Sequence, residues 1–182
     1  MSRTPLPPFA ASLLSAGPHR DIPEEQRIFA PFIGDWDLIV SWFDEAGRLT
    51  RREPGEWHFS WTLEGRAVQD VWIVPPRGDR AGRSDLYEYG TSLRFFDGAL
   101  DAWQSTWIGP MHRVARTFIA RRAGAEVVLE TTEGEMPRMR WSFADVGTDS
   151  FTWRNEIWTG IEWRIQQTFA ARRSGKMRTA AM

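Results

Sequence analysis

The 182-residue sequence contains no cysteine. This absence excludes disulfides, thiolate nucleophiles, zinc–thiolate sites and iron–sulfur clusters in any compartment. Long apolar runs are also missing, since none approaches the roughly 18 to 20 residues that a membrane-spanning helix needs. Residues 9–16 are apolar, but the prolines before them and the single Arg3 are atypical of a signal peptide. We therefore expect a cytoplasmic protein.

Charge of one sign is missing as well, because 23 basic and 24 acidic side chains leave a net charge of -1. This balance gives no electrostatic footprint for nucleic acid or an anionic membrane, and we expect neither as a partner. The three histidines, His19, His58 and His112, show no metal-ligand spacing, so we expect no bound metal. The sequence has no nucleophile-elbow serine and no glycine-rich loop that opens a helix. Hydrolase and nucleotide-binding functions therefore have no support, and we expect no cofactor.

What the sequence does have is an unusual load of aromatic rings, with 11 Trp and 11 Phe against only 2 Tyr. From Gly34 onward, apolar and polar residues alternate with the period of two that is typical of strands, and Gly, Pro and Asp mark the turns. This pattern predicts ten strands at residues 35–43, 55–63, 67–74, 87–96, 102–108, 113–122, 126–133, 139–146, 150–159 and 162–172. The longest connection, residues 75–84, is rich in Pro, Gly and Arg and is expected to be a mobile loop at one end of the sheet.

Short glycine-containing turns join these strands, so consecutive strands should pair antiparallel. An open sheet of that size leaves two unpaired edges, which a closed barrel removes. The fold class predicted is therefore all-β, an antiparallel up-and-down β-barrel of about 8–10 strands with a short N-terminal helix near residues 21–29. A two-sheet sandwich is the alternative. We predict an extended N-terminal arm over 1–20, a single β-barrel domain over 21–172 and a disordered tail over 173–182.

Alternation assigns one apolar face to each strand. The inward-facing sets are Trp36/Leu38/Val40/Trp42, Trp57/Phe59/Trp61, Trp103/Trp107, Val114/Phe118/Ala120, Val127/Leu129, Met139/Trp141/Phe143, Phe151/Trp153/Ile157 and Trp163/Ile165/Phe169. Five polar residues then fall on apolar faces: Ser105, Arg116, Asn155, Gln167 and Tyr89, the last beside Thr91, Leu93 and Phe95. The third strand is ambiguous, because either Gln69 or Asp70 must share a face with apolar neighbours.

Polar groups inside an apolar barrel are costly unless they are hydrogen-bonded, so these exceptions need a reason. They could satisfy one another, with Arg116 pairing with Asp70 or Glu130. They could instead converge on a ligand, since small-molecule sites are apolar pockets with a few placed polar groups. The number of such residues favours the pocket. The predicted ligand-binding residues are Tyr89, Trp103, Trp107, Arg116, Trp141, Trp153, Asn155 and Gln167.

A resemblance is carried by Pro31-Phe32-Ile33-Gly34-Asp35-Trp36-Asp37-Leu38, by Gly55-Glu56-Trp57 and by Leu63-Glu64-Gly65-Arg66. With the meander that follows, these segments resemble the bacterial lipocalin-like (calycin) domains of unknown function. In calycins a Gly-x-Trp on the first strand, preceded by a short helix, closes one end of the barrel, and Gly34-Asp35-Trp36 is similar to that arrangement. The resemblance implies a cavity for a hydrophobic ligand and no shared catalytic residue. The chain departs from the secreted members in having no disulfide, and from the haem-binding ones in having no evident histidine ligand.

The function predicted is binding of a small hydrophobic or aromatic molecule in a Trp-lined barrel cavity. Arg116 would face an anionic or carbonyl oxygen, while Tyr89, Asn155 and Gln167 would orient the ligand. One alternative is a cofactor-independent enzyme, a cyclase, isomerase or decarboxylase, in which Arg116 stabilises an oxyanion and Tyr89, Asp70 or His112 moves a proton.

Another alternative is a structural or partner-binding barrel with a filled interior. The fold does not decide among these three functions. A homodimer face would require Trp42, Trp72 or Trp158 to point outwards.

Overall fold

Aromatic and β-branched residues alternate with polar ones between Gly34 and Arg173, and this part of the chain forms an antiparallel meander. The computed structural model describes residues 5–81 and 88–175. Within them lie one helix, α1 (Pro8–Leu13), and eleven strands in a single sheet. The strands are β1 (Leu14–Ser15), β2 (Gly34–Phe43), β3 (Leu49–Thr62), β4 (Ala67–Val74), β5 (Glu88–Asp97), β6 (Ala102–Gly109), β7 (Val114–Ala123), β8 (Glu126–Thr131), β9 (Met139–Ala144), β10 (Ser150–Trp158) and β11 (Trp163–Arg173).

The ten strands from β2 to β11 close into a barrel. Each strand pairs antiparallel with the next along the chain, and β11 pairs with β2 to complete the ring. The short β1 adds to β3 outside this ring, through Leu14 opposite Thr62. The predicted all-β up-and-down barrel is confirmed. Closure pairs the two strands that an open sheet would leave as edges.

The described chain also contains 3-10 turns at Glu24–Gln26, Ala30–Phe32, Arg77–Asp79 and Pro110–His112. A short N-terminal helix is present as predicted, but it is α1, within the predicted extended arm, rather than residues 21–29. That later segment forms only a 3-10 turn, because its apolar side chains pack into the barrel instead of following one helical face. No helix in the described ranges combines the length and apolarity needed to cross a membrane.

One end of the barrel is closed by residues 22–33, which we call the plug. Ile22, Ile28, Phe29 and Phe32 are buried there. The Trp36 indole Nε1–H donates to the carbonyl oxygen of Phe32 at 2.6 Å. The Arg173 guanidinium lies over the same indole, 4.3 Å from the ring centroid. It donates to the carbonyl oxygens of residues 31 and 33.

Strand β11 ends at Arg173, which is the first residue of the predicted disordered tail. Residues 176–182 of that tail lie outside the described residues, as do residue 87 of the fourth predicted strand and residues 82–84 of the predicted mobile loop.

The predicted inward faces are confirmed for β2, β3 and β9, but β5 was assigned the wrong way round. Tyr89 is 40% exposed, whereas Ser92 and Arg94 point inwards and are buried. Arg94 forms an ion pair with Asp70 of β4 at 2.5 Å, and both side chains are almost completely buried. Because these two charges neutralise each other, the face of β5 that carries Ser92 and Arg94 can point inwards.

The prediction for β11 is wrong at its first half for a different reason. A β-bulge shifts the register, so that Asn155 is opposite Gln167 but Glu156 is opposite Ile165. The extra residue, Gln166, reverses the alternation on its N-terminal side. Ile165 is consequently 37% exposed. Trp163 packs against Trp158, with the two rings tilted by 57°, instead of entering the barrel.

Candidate functional site

The barrel contains a cavity of about 370 Å³ at the end opposite the plug, which we call the mouth. Residues from nine strands, all except β1 and β8, converge there, because the antiparallel meander brings the end of one strand beside the start of the next. Its apolar wall consists of Trp42, Phe43, Trp57, Trp72, Trp107, Val114, Met139, Trp141, Trp153 and Phe169. Its polar groups are Glu88, Ser92, His112, Arg116, Asn155, Gln166 and Gln167.

Five of the tryptophans form a continuous chain of ring contacts around the cavity. Centroid separations are 5.5 Å for Trp72 and Trp107, 6.0 Å for Trp107 and Trp141, 5.4 Å for Trp141 and Trp153, and 6.0 Å for Trp153 and Trp57. Such rigid rings give a large apolar surface at low conformational entropy cost. The wall is therefore preformed to stack against a flat or hydrophobic ligand.

Glycine allows one of these rings to take its place. A Cβ on Gly90 would overlap the six-membered ring of Trp107, so the indole lies directly against the backbone of β5. Any larger side chain at this position would push Trp107 toward the middle of the cavity.

The structure brings together at the mouth most of the side chains predicted from the sequence. These are Trp107, Arg116, Trp141, Trp153, Asn155 and Gln167, together with the candidate acid/base His112. The β-bulge at Gln166 contributes to this grouping, because it turns both glutamines of β11 toward the cavity.

Three predicted residues lie elsewhere. Trp103 is fully buried near the plug, where its Nε1–H donates to the carbonyl oxygen of Gln26 at 2.7 Å. The Tyr89 ring lies outside the barrel beneath the Arg80 guanidinium. Asp70 is held in its ion pair with Arg94. Trp103 thus packs the closed end, and the side chains of Tyr89 and Asp70 do not line the cavity.

Arg116 lines the cavity, but its charge is balanced within the protein. Its Nη1 donates to the carbonyl oxygen of Met136 at 3.0 Å and lies 3.8 Å from Oε2 of Glu135. The partners predicted for it are occupied otherwise, since Glu130 binds Arg140 and Asp70 binds Arg94.

Several buried polar atoms of the wall have no hydrogen-bond partner among the described residues. They are the indole Nε1 atoms of Trp57, Trp72, Trp141 and Trp153, and Oδ1 of Asn155. A buried polar group left unsatisfied costs about 1–3 kcal/mol. These atoms are closed to the cavity as well as to solvent, and buried atoms without a partner also occur elsewhere in the barrel, at Thr62 and Ser105.

Glu88, at the start of β5, is the carboxylate of the wall. Its side chain is 14% exposed, and Oε1 lies 4.0 Å from Nε2 of His112. Burial raises the pKa of Glu88 to about 7, while the positive charge of Arg51 and a hydrogen bond with the Trp42 side chain oppose that shift. The group therefore changes charge near neutral pH.

Sequence reasoning missed Glu88 because the reversed face of β5 placed Tyr89 inwards and its neighbour outwards. The signal that could have found it is the Asp70–Arg94 pair: opposite charges on adjacent strands fix which face of β5 points inwards. Trp42, Trp57 and Trp72 were also absent from the predicted ligand-binding set. All three line the cavity. Because Trp42 and Trp72 point there and Trp158 is half-buried against Trp163, the suggested dimer face has no support from these rings.

Comparison with known proteins shows one similar fold. No family model and no curated protein matches the chain. The structure is similar to the crystal structure of Rv2717c from M. tuberculosis, with a TM-score of 0.55 and 12% sequence identity, over 84% of this chain and 99% of that one. At that identity the likeness shows the barrel fold alone.

Proposed function

We propose that the protein binds a small hydrophobic or aromatic molecule in the cavity at the mouth of the barrel. The observation that carries the proposal is the unbroken chain of tryptophan rings around about 370 Å³ of space. Ligand sites are mostly apolar concave surfaces of a few hundred Å³ with a small number of oriented polar groups, and this wall has that composition. The polar side chains on the same wall support the proposal, because they could orient a ligand.

We further propose that the chain is related to the lipocalin-like (calycin) domains and acts in the cytoplasm. The relationship is supported by Gly34-Asp35-Trp36 at the start of β2, where Trp36 is sealed by the plug at the closed end. The chain holds its fold without disulfides, which is compatible with the reducing environment of the cytoplasm.

Native mass spectrometry of freshly purified protein, compared with the denatured mass, tests the proposal first. Tryptophan fluorescence titrations with hydrophobic acids, flavonoids and polyketide-like compounds follow. We expect a retained or titratable small molecule, and we expect Trp107→Ala to weaken its binding about tenfold by removing one ring of the wall. The matched control is Trp163→Ala, outside the barrel, which should leave affinity unchanged. A protein that carries no adduct and shows no quenching across the panel would instead be a structural or partner-binding barrel.

A second candidate function is cofactor-independent acid–base catalysis in the same cavity. It is favoured by one observation, the juxtaposition of His112 with a carboxyl group whose pKa is near neutrality. Glu88 would accept or return a proton from a bound substrate. Turnover of a bound compound that disappears in Glu88→Gln, with binding retained, would support catalysis; binding without turnover would count against it.

A further inference from the structure

We infer that the ligand presents a hydroxyl group, carried on a flat apolar body, to Glu88 at the mouth of the barrel. This inference rests on the proposed function and specifies the chemistry of the ligand.

The charge balance of the wall disfavours an anionic ligand. Arg116 is the only guanidinium among the described residues that line the cavity, and Glu135 already balances its charge. Glu88 adds a carboxyl group to the same wall. A carboxylate ligand would thus lose its hydration without meeting an unmatched cation.

The available hydrogen-bonding atoms favour a hydroxyl group. The Glu88 side chain lines the cavity and is 14% exposed, and its carboxylate only accepts hydrogen bonds, so it requires a donor on the ligand. Gln166, on the same wall, has an amide group that can donate to an acceptor. A hydroxyl group both donates and accepts, so it can pair with either kind of group.

The surroundings of Glu88 explain why its carboxylate suits a neutral donor. Arg51 from β3 faces it, but that guanidinium stacks 4.4 Å over Trp42 and pairs with Glu53 at 3.1 Å. His112, from the turn after β6, is 55% exposed and stands 4.0 Å away. Around Glu88, then, the described cations are shared or at a distance, and a ligand donor would add a close partner.

The volume sets the size of the apolar body. About 370 Å³ corresponds to about twelve water molecules at roughly 30 Å³ each. Fused aromatic rings fit this space and can stack on the indole wall. Two-ring probes are therefore suitable for a test.

Equilibrium dialysis of the full-length protein against three matched probes tests the inference. 2-Naphthol donates and accepts, 2-methoxynaphthalene only accepts, and 2-naphthoate is an anion of similar size. At pH 8 we expect 2-naphthol to bind about tenfold more tightly than the methoxy compound, because it alone can donate to an ionised Glu88. At pH 6 that preference should shrink, since a protonated carboxyl group is a poorer acceptor, and 2-naphthoate should bind better than at pH 8.

Variants separate the contribution of Glu88 from that of other groups. Glu88→Gln should abolish both the preference for 2-naphthol and its dependence on pH. Glu130→Gln, an outward-facing carboxylate paired with Arg140, is the matched control and should retain them.

Equal affinity for 2-naphthol and its methyl ether, or tightest binding of 2-naphthoate at pH 8, would overturn the inference while leaving ligand binding in the cavity intact. Failure of all three probes to bind at either pH would overturn the proposed function, and this inference with it.

Discussion

Glu88 shows how one side chain can link the cavity to the stability of the barrel. Its carboxyl group is held away from water, so burial favours the protonated form and raises the pKa to about 7 from the ordinary 4.5. Between these two values the folded protein keeps a proton that the unfolded chain has lost. The free energy of unfolding therefore decreases as pH rises through this interval, by about 3 kcal/mol from this group.

Urea denaturation of the wild type and Glu88→Gln between pH 4.5 and 8 measures this effect. Because glutamine does not titrate, the stability of the wild type relative to the variant should fall by about 3 kcal/mol across the range. Other titrating groups cancel in the difference between the two proteins. A difference that stays constant with pH would show that Glu88 ionises in the folded protein as it does in the unfolded chain.

Single residues were also where prediction from the sequence was weakest. Asp70 was recognised as ambiguous, but its partner Arg94 was not, because alternation counts a charged side chain as outward-facing. Only the pairing of β4 with β5 shows that the two charges meet at 2.5 Å inside the barrel. Arg116 was predicted on the correct face, yet its pairing with Glu135 depends on a loop whose path the sequence does not specify.

At the scale of elements, β11 carries the clearest departure from simple alternation. The bulge at Gln166 makes Ile165 an outward residue although it follows the apolar pattern, while Phe169 remains buried. The other bounds of the barrel strands were predicted within two residues, because turn glycines and the period of two mark where strands begin and end, except that β3 begins at Leu49 rather than at residue 55. A bulge adds one residue without changing the kinds of residue in the strand, so the local sequence pattern does not reveal it.

The bulge predicts opposite sensitivities for two apolar residues of the same strand. Ile165→Thr should change the free energy of unfolding by less than about 0.5 kcal/mol, since that side chain already contacts water. Phe169→Ala should cost about 3–5 kcal/mol, because it removes a buried ring stacked 4.3 Å from Trp153. Chemical denaturation of both variants measures these costs, and similar losses at the two positions would contradict the register shift.

At the scale of the whole molecule, the two ends of the barrel have different contents. The closed end holds the plug, the fully buried Trp36 and the ion pair between Asp70 and Arg94. The Arg94 guanidinium lies 5.0 Å from the centroid of the Phe29 ring. The mouth holds the cavity and the polar side chains that line it. Sequence alone could predict the barrel and the inward tryptophans, but not which end each one occupies, since that depends on closure of the ring.

This separation predicts that stability and ligand binding can be changed independently. Arg173→Ala removes the cation over Trp36 and two hydrogen bonds to plug carbonyls, and should lower the free energy of unfolding by about 2 kcal/mol. Ligand affinity, measured by fluorescence titration, should stay within twofold of the wild type. Arg172→Ala, an exposed neighbour on β11, is the matched control for loss of charge. A parallel loss of affinity in Arg173→Ala would show that the two ends are coupled.

The division between the ends also bears on how such a chain can diversify. Most substitutions destabilise a protein, and those that exhaust its margin of stability are eliminated before any new activity can be tested. With the packing of Trp36 and the plug confined to one end, the loops of the other end can be lengthened, shortened or exchanged at small cost. A lineage, or a designer, starting from this barrel could therefore sample new ligands at the mouth while the same closed end kept every variant folded.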